Sequence, residues 1–275
     1  MQNVNIQQLQ EVATNIRKDI IQAVNAAGSG HPGGSLSAAD LLTVLYFHKM
    51  NIDPKNPKME NRDRFVLSKG HAAPVLYGAL AERGFFPKEE LLKLRHMGAM
   101  LQGHPDMKNI PGVEMSTGSL GQGFSTTIGM ALASKLDKID NRIYTLLGDG
   151  EIQEGLVWEA AMAAGHYKLD NLTAIVDFNG LQIDGRNDDV MTVSPIDKKF
   201  ESFGWNVITI DGHNMEEIIN AFDEAEKTKG KPTVVIAKTI KGKGVSFMED
   251  QAGWHGSAPN DEQTTTALDE LGGVK

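Results

Sequence analysis

Ile143-Tyr144-Thr145-Leu146-Leu147-Gly148-Asp149-Gly150 and, thirty residues after the aspartate, Phe178-Asn179-Gly180 are the stretches whose reading decides the fold. The first is an apolar run that reads as a strand. It ends on a carboxylate flanked by glycines, which let backbone approach a ligand. A helical stretch from Leu156 to His166 leads to a second apolar run, Leu172 to Asp177, that ends at Asn179. Strand, helix and strand in that order make a parallel pair. Asp149 and the Asn179 amide oxygen are therefore expected at one sheet edge, where two such oxygens suit a hard divalent cation holding a diphosphate.

The pattern continues outward on both sides. Ile6, Leu9, Val12, Ile16, Ile20 and Val24 recur at helical spacing, and this amphipathic helix stops at Ala27-Gly28-Ser29-Gly30. A second helix is expected from about Ser37 to Lys49, and a short strand from Arg64 to Ser68. Residues 89–111 are polar and irregular. The run "STGSLGQG", Ser116 to Gly123, opens a small-residue helix that continues to about Leu136. Strands at Trp205–Ile210 and Thr233–Lys238 flank a helix at Met215–Lys227. The whole reads as α/β: a doubly wound, mainly parallel sheet of about five strands with helices on both faces. No repeat or Pro/Gly/Ser-rich linker divides it. Residues 1–257 form one expected domain, and residues 258–275 a polar, threonine-rich, mobile tail. Ligand-facing loops of such a sheet gather at the C-terminal ends of its strands.

Composition narrows the function. The 275 residues carry 27 basic and 36 acidic side chains, a net charge of −9, which argues against nucleic acid or an anionic membrane as partner. A buried phosphorylated ligand stays compatible, since it needs only local cations and N–H groups. There is no cysteine, which excludes disulfides, iron–sulfur clusters and thiolate catalysis. No signal-peptide block opens the chain, and no apolar run reaches the ~20 residues that cross a bilayer. A soluble cytoplasmic protein is expected. Among the histidines, His31 in "SGHPGG", His71 in "KGHA", His104 in "QGHPD" and His255 in "GWHG" each sit in a glycine-flanked turn rather than on an apolar face. His48, His96, His166 and His213 read as structural or surface residues. "STGSLGQG" is not the GxGxxG dinucleotide fingerprint, which weighs against a nucleotide-binding Rossmann domain.

Gly-Asp-Gly followed about thirty residues later by Asn resembles the thiamine diphosphate signature. The stretch "GDGEIQEGLVWEAAMAAGHYKLDNLTAIVDFNGLQIDG", Gly148 to Gly185, resembles transketolase in particular. The resemblance covers nearly all of the chain but only the first, diphosphate-binding half of a full-length transketolase. It implies thiamine diphosphate and Mg2+ or Ca2+ as cofactors. Asp149, the Asn179 amide oxygen and the Leu181 carbonyl would be the metal ligands. Gly118 and Leu120 would touch the cofactor rings, and Gly150, Asn179, Lys241, His71 and His255 would also contact the cofactor. His31, His71 and His104 match the active-site histidines. His255, also expected to be catalytic, matches the histidine beside the diphosphate, and Glu154 matches a glutamate that communicates between two cofactor sites. Gly33-Gly34 departs from the family, which often has a hydroxyl residue there.

A glutamate that activates the cofactor pyrimidine belongs, in the family, to a second α/β domain, and this chain has no second sheet. The resemblance therefore implies the N-terminal subunit of a split transketolase. Its partner chain would carry the pyrimidine-binding and C-terminal domains, in a heterotetramer acting on sugar phosphates. The alternatives are the alpha chain of a 2-oxoacid dehydrogenase, a relative acting on a sulfonated or branched sugar, and a paralogue that binds the cofactor without turnover. The four glycine-flanked histidines together favour transketolase over the dehydrogenase.

Overall fold

The computed structural model describes residues 5–273. Its centre is a five-stranded sheet of β1 (Arg64–Leu67), β2 (Ile143–Gly148), β3 (Leu172–Phe178), β6 (Asn206–Asp211) and β7 (Thr233–Lys238). Between β3 and β6 the chain makes a small antiparallel hairpin, β4 (Leu181–Gln182) and β5 (Gly185–Arg186). Every neighbouring pair in the main sheet is parallel, in the order β1-β2-β3-β7-β6. Because β7 returns between β3 and β6, the ends of β2, β3 and β7 lie side by side. Gly148 is in register with Asp177, so the Asp149 and Asn179 turns leave the sheet together.

Strand side chains alternate between two cores. Phe65, Leu67, Tyr144, Leu146, Ile175 and Val235 face one layer, built from α1 (Ile6–Ala27), α2 (Pro32–Leu36), α3 (Ala39–Val44), α4 (Ala73–Arg83) and, from late in the chain, α9 (Met215–Lys227). Ile143, Leu147, Ala174, Val176, Val234 and Ile236 face the other, built from α5 (Gln122–Leu136), α6 (Gly155–His166) and, past the small α7 (Asn187–Val190), α8 (Ile196–Ser202). α9 joins β6 to β7, and α10 (Asp261–Glu270) closes the described chain. The doubly wound sheet expected from the sequence is the observed one.

Three elements differ from expectation. α4 gave no sequence signal because it is buried on all sides from Ala73 to Ala81, and a helix without a polar face shows no amphipathic period. The helix expected over 37–49 begins at Ala39 and ends in a wider turn, Leu45–Lys49. Residues 261–270 are not a mobile tail. Asn260 caps them in a reciprocal capping box with Gln263, and Ala267 is buried against the α1 side of the core. Residues 274–275 of the expected tail lie outside the described range. Among the described residues no helix is long and apolar enough to cross a membrane.

Candidate active site

A cavity of about 390 Å³ opens at the C-terminal ends of β1, β2, β3 and β7. Of the residues singled out in the sequence, His31, His71, Gly118, Leu120, Asp149, Gly150, Glu154, Asn179, Leu181, Lys241 and His255 all line it. His104 stands at its edge, where a Cβ placed on Gly118 would lie 3.3 Å from the His104 ring. Tyr77 of α4 holds that loop by donating its hydroxyl to the carbonyls of Gln102 and His104, both at 2.9 Å.

The floor is built of oxygens. The Asp149 carboxylate is 2% exposed and accepts the N–H groups of Gly150 at 2.8 Å and Gly180 at 2.5 Å. Burial, with Asp177 nearby, pushes its pKa up to about 6 against these bonds. A cation beside it would reverse that penalty. The Asn179 amide oxygen accepts Leu181 N–H at 3.1 Å, and its nitrogen donates to Asp177 at 3.3 Å. The Leu181 carbonyl accepts the Lys241 ammonium at 3.1 Å. Carboxylate, amide and carbonyl oxygens on two adjacent strand ends are the donor set of a hard divalent cation, with one charge supplied by the protein. Among the described residues no three His, Asp or Glu converge on a metal site, so further ligands would have to come from the bound group. Gln182, also in the lining, keeps a buried side-chain nitrogen without a partner, a donor free for a ligand.

One wall is a cluster of imidazoles. The ring centroids of His31, His71 and His255 lie 5.1–5.5 Å apart. Burial, then the charges around them, lowers His31 and His255 to about 4. His71 is pushed furthest down, by burial and then Lys69. All three rings are neutral at pH 7 and each offers one donor and one acceptor. Lys241 Nζ lies 3.3 Å from His255 Nδ1, and burial, then Lys69, lowers the lysine to about 8.

Gly33 and Gly34, the departure from the family pattern, behave differently. A Cβ on Gly33 would meet the Trp254 carbonyl at 2.8 Å and the Lys241 stem at 2.9 Å, so the position is sterically closed. A Cβ on Gly34 would find nothing nearer than Lys69 Nζ at 3.6 Å. A side chain fits there, and its absence leaves room beside His71.

Several polar residues were not legible in the sequence. Lys69, 2% exposed, reaches the Gly34 carbonyl at 2.7 Å and Asp177 at 2.5 Å. Asp177 also accepts the Ser37 hydroxyl at 2.6 Å and the Thr239 hydroxyl. Burial opposes its charge, but Lys69 and these donors outweigh burial and hold it below the ordinary carboxylate value. Glu151, also buried, accepts Ser68 Oγ at 2.5 Å, Gly121 N–H at 2.9 Å and Gly148 N–H at 3.0 Å, tying three cavity loops together. The only available signal was a charged residue inside an apolar strand, as in "TAIVDFN", or beside a glycine turn, as in "SKGHA".

The sequence matches the family described as "Transketolase, thiamine diphosphate binding domain" over residues 8–274. It is 48% identical over 263 residues to the 6-deoxy-6-sulfo-D-fructose transketolase subunit of Clostridium sp. (strain MSTE9), covering 96% of each chain. It is 46% identical to an apulose-4-phosphate transketolase subunit of Phocaeicola vulgatus, over 93% of this chain and 90% of that one. Against mouse transketolase the identity is 49%, over 91% of this chain but 40% of the mouse protein. The crystal structure of Campylobacter jejuni transketolase superposes with a TM-score of 0.93 at 39% identity, covering 98% of this chain and 43% of that one.

Proposed function

This chain belongs to the transketolase family, as its thiamine diphosphate-binding domain, and from that premise we propose that it is the N-terminal subunit of a two-chain transketolase. The observation that carries the reading is the cavity itself. It offers an oxygen floor at Asp149, Asn179 and Leu181 and a neutral imidazole wall, both at the edge of a single sheet, in a chain as long as relatives that are named subunits. The reaction is transfer of a two-carbon ketol unit from a ketose phosphate to an aldose phosphate.

Thiamine diphosphate, when bound, supplies the carbon nucleophile and electron sink for that transfer. Asp149, the Asn179 amide oxygen and the Leu181 carbonyl would hold Mg2+ or Ca2+ on the cavity floor. Lys241, His71 and His255 would offer donors to the cofactor's diphosphate, with Gly150 allowing close approach. Gly118 and Leu120 lie against the rings. His31 and His104 face the sugar; as neutral imidazoles they accept a hydroxyl proton as the carbon–carbon bond breaks and hold the leaving aldehyde. Glu154, which lines this cavity, communicates between the two cofactor sites of the assembly. The partner chain brings the pyrimidine-binding and C-terminal domains, two copies of each chain assemble, and the setting is the cytoplasm and the pentose phosphate pathway or a branch of it.

A second reading concerns the sugar. Relatives named for 6-deoxy-6-sulfofructose and apulose 4-phosphate, with the room left at Gly34, favour a sulfonated or branched substrate. The test is a ketol-transfer assay on this chain, on the partner and on the mixture, with saturating thiamine diphosphate and Mg2+. The donors are xylulose 5-phosphate, 6-deoxy-6-sulfofructose and apulose 4-phosphate. Turnover is expected only in the mixture, and full turnover by this chain alone overturns the split-enzyme reading.

A further inference from the structure

His213 lies outside the cavity, in the turn between β6 and α9, yet its ring completes a hydrogen-bond chain that ends beside Lys241. Its Nε2 lies 2.9 Å from the Ile240 backbone nitrogen, and its Nδ1 lies 2.7 Å from Asp40 Oδ2. A backbone N–H only donates, so Nε2 must be the bare nitrogen. Nδ1 then carries the proton and donates it to Asp40. One neutral tautomer satisfies both ends. Behind it, Arg17 grips Asp40 with a two-pronged fork at 3.0 and 2.6 Å, and both side chains are nearly buried. Burial opposes the Asp40 charge, but the His213 bond and the Arg17 guanidinium outweigh it and hold the carboxyl below its ordinary value.

The far end of this chain is the turn after β7. Thr239 N–H donates to the Phe178 carbonyl at 3.1 Å and Gly242 N–H to the Gly33 carbonyl at 3.0 Å, on either side of Ile240. The Lys241 stem passes under Gly33, where a single added carbon would collide with it. The turn's backbone thus fixes where the Lys241 stem starts, while the Leu181 carbonyl and His255 meet its ammonium. We propose that His213 is a positioning residue: the Arg17–Asp40–His213–Ile240 relay fixes the turn that places the Lys241 ammonium against an anionic diphosphate. Without it, the Ile240 N–H loses its half-buried acceptor and the turn drifts. The inference rests on the proposed role of Lys241 in holding the cofactor.

Two variants separate this from a plain structural tie between α3 and the β6–α9 turn. Asn in place of His213 puts an amide N–H where Nδ1 was, so His213→Asn keeps the Asp40 bond and strands Ile240. Gln reaches further, so His213→Gln offers an oxygen to Ile240. Thiamine diphosphate with Mg2+ is titrated calorimetrically into the assembled two-chain enzyme, and kcat is measured at saturating cofactor. For His213→Asn the cofactor affinity is expected to fall about tenfold, the lower end for a residue that orients a ligand-binding group, with kcat changed less than about twofold. His213→Gln should recover most of the loss. In a Lys241→Met background His213→Asn should add almost nothing, because both act through one ammonium. Equal losses for His213→Asn in both backgrounds, or rescue by Asn and not by Gln, overturn the relay alone. Unchanged cofactor affinity in Lys241→Met removes the lysine from the site, and the relay with it.

Discussion

Among the described residues Asp149 accepts hydrogen bonds only from backbone N–H groups, so its charge is available to a cation. Asp149→Asn should therefore abolish measurable thiamine diphosphate binding. Asn179→Ala, which removes an oxygen and leaves the charge, should weaken it about tenfold to a hundredfold, in line with loss of one bond to a charged group. Calorimetry on the assembled enzyme checks both, and unchanged affinity in Asp149→Asn would sink the metal assignment. The imidazole wall makes a separate, pH-dependent statement. With the ordinary value at 6.5 and the folded values of His31 and His255 at about 4, the unfolded chain binds more protons across that window. Stability from the neutral rings is thus present above pH 6.5 and lost as pH falls through about 4. Asp149 and Asp19, raised to about 6 and about 7, pull the other way in this window. The histidine part is therefore read as a difference. In His71→Asn, which removes the most strongly lowered ring, the urea midpoint should fall less on acidification than in the wild type. An unaltered slope would contradict burial of that ring. At this scale the sequence exposes residues that end strands or sit between glycines, because backbone geometry marks them. Lys69, Glu151 and His213 escape it, since their partners come from elements as far apart as Asp40 and Ile240.

The amphipathic helices could be read because their burial is one-sided, and the strands because burial on both faces, as for β2 between its two cores, makes each a short continuous apolar run. α4 and α10 failed for opposite reasons. One has no polar face to reveal a period, and the other has so little apolar surface that "DEQTTTALDE" reads as solvent-exposed chain. What fixes α10 is local and tertiary together. Asn260 and Gln263 cap it reciprocally, Asn25 of α1 donates to the Pro259 carbonyl and Asp261 at 3.1 Å each, and Glu270 holds Ser246 at 2.6 Å. Asn260→Ala should accordingly cost about 1 kcal/mol in urea unfolding, the ordinary worth of an N-cap. A mobile tail would show no change at all, so the measurement decides between the two descriptions of these residues. The capping box was the one signal in the sequence, a short polar residue followed three positions later by glutamine.

For the whole molecule, a single sheet places every cavity loop at one edge, and the cavity is open there. Next to it the β4–β5 hairpin carries Ile183, 66% exposed, and Met191 follows at 62%. Ile183 lines the cavity, and on the two-chain reading proposed above an exposed apolar side chain there is where a partner chain would rest. The family assignment followed from motifs that are local in sequence; this surface did not, because exposure is a property of the finished fold. If the rim belongs to the interface, Ile183→Glu should leave this chain's own unfolding midpoint nearly unchanged, within about 0.5 kcal/mol as for most surface substitutions. The same change should move the titration of activity with partner chain to higher concentration, by about tenfold or more for a charge buried in an interface of roughly 2,000–5,000 Å². Wild-type activity should saturate at one partner per chain, and sedimentation should show a single heteromeric species at that ratio. Titration of Ile183→Glu with an unchanged midpoint would remove the hairpin from the interface and require the partner to approach the cavity from another side.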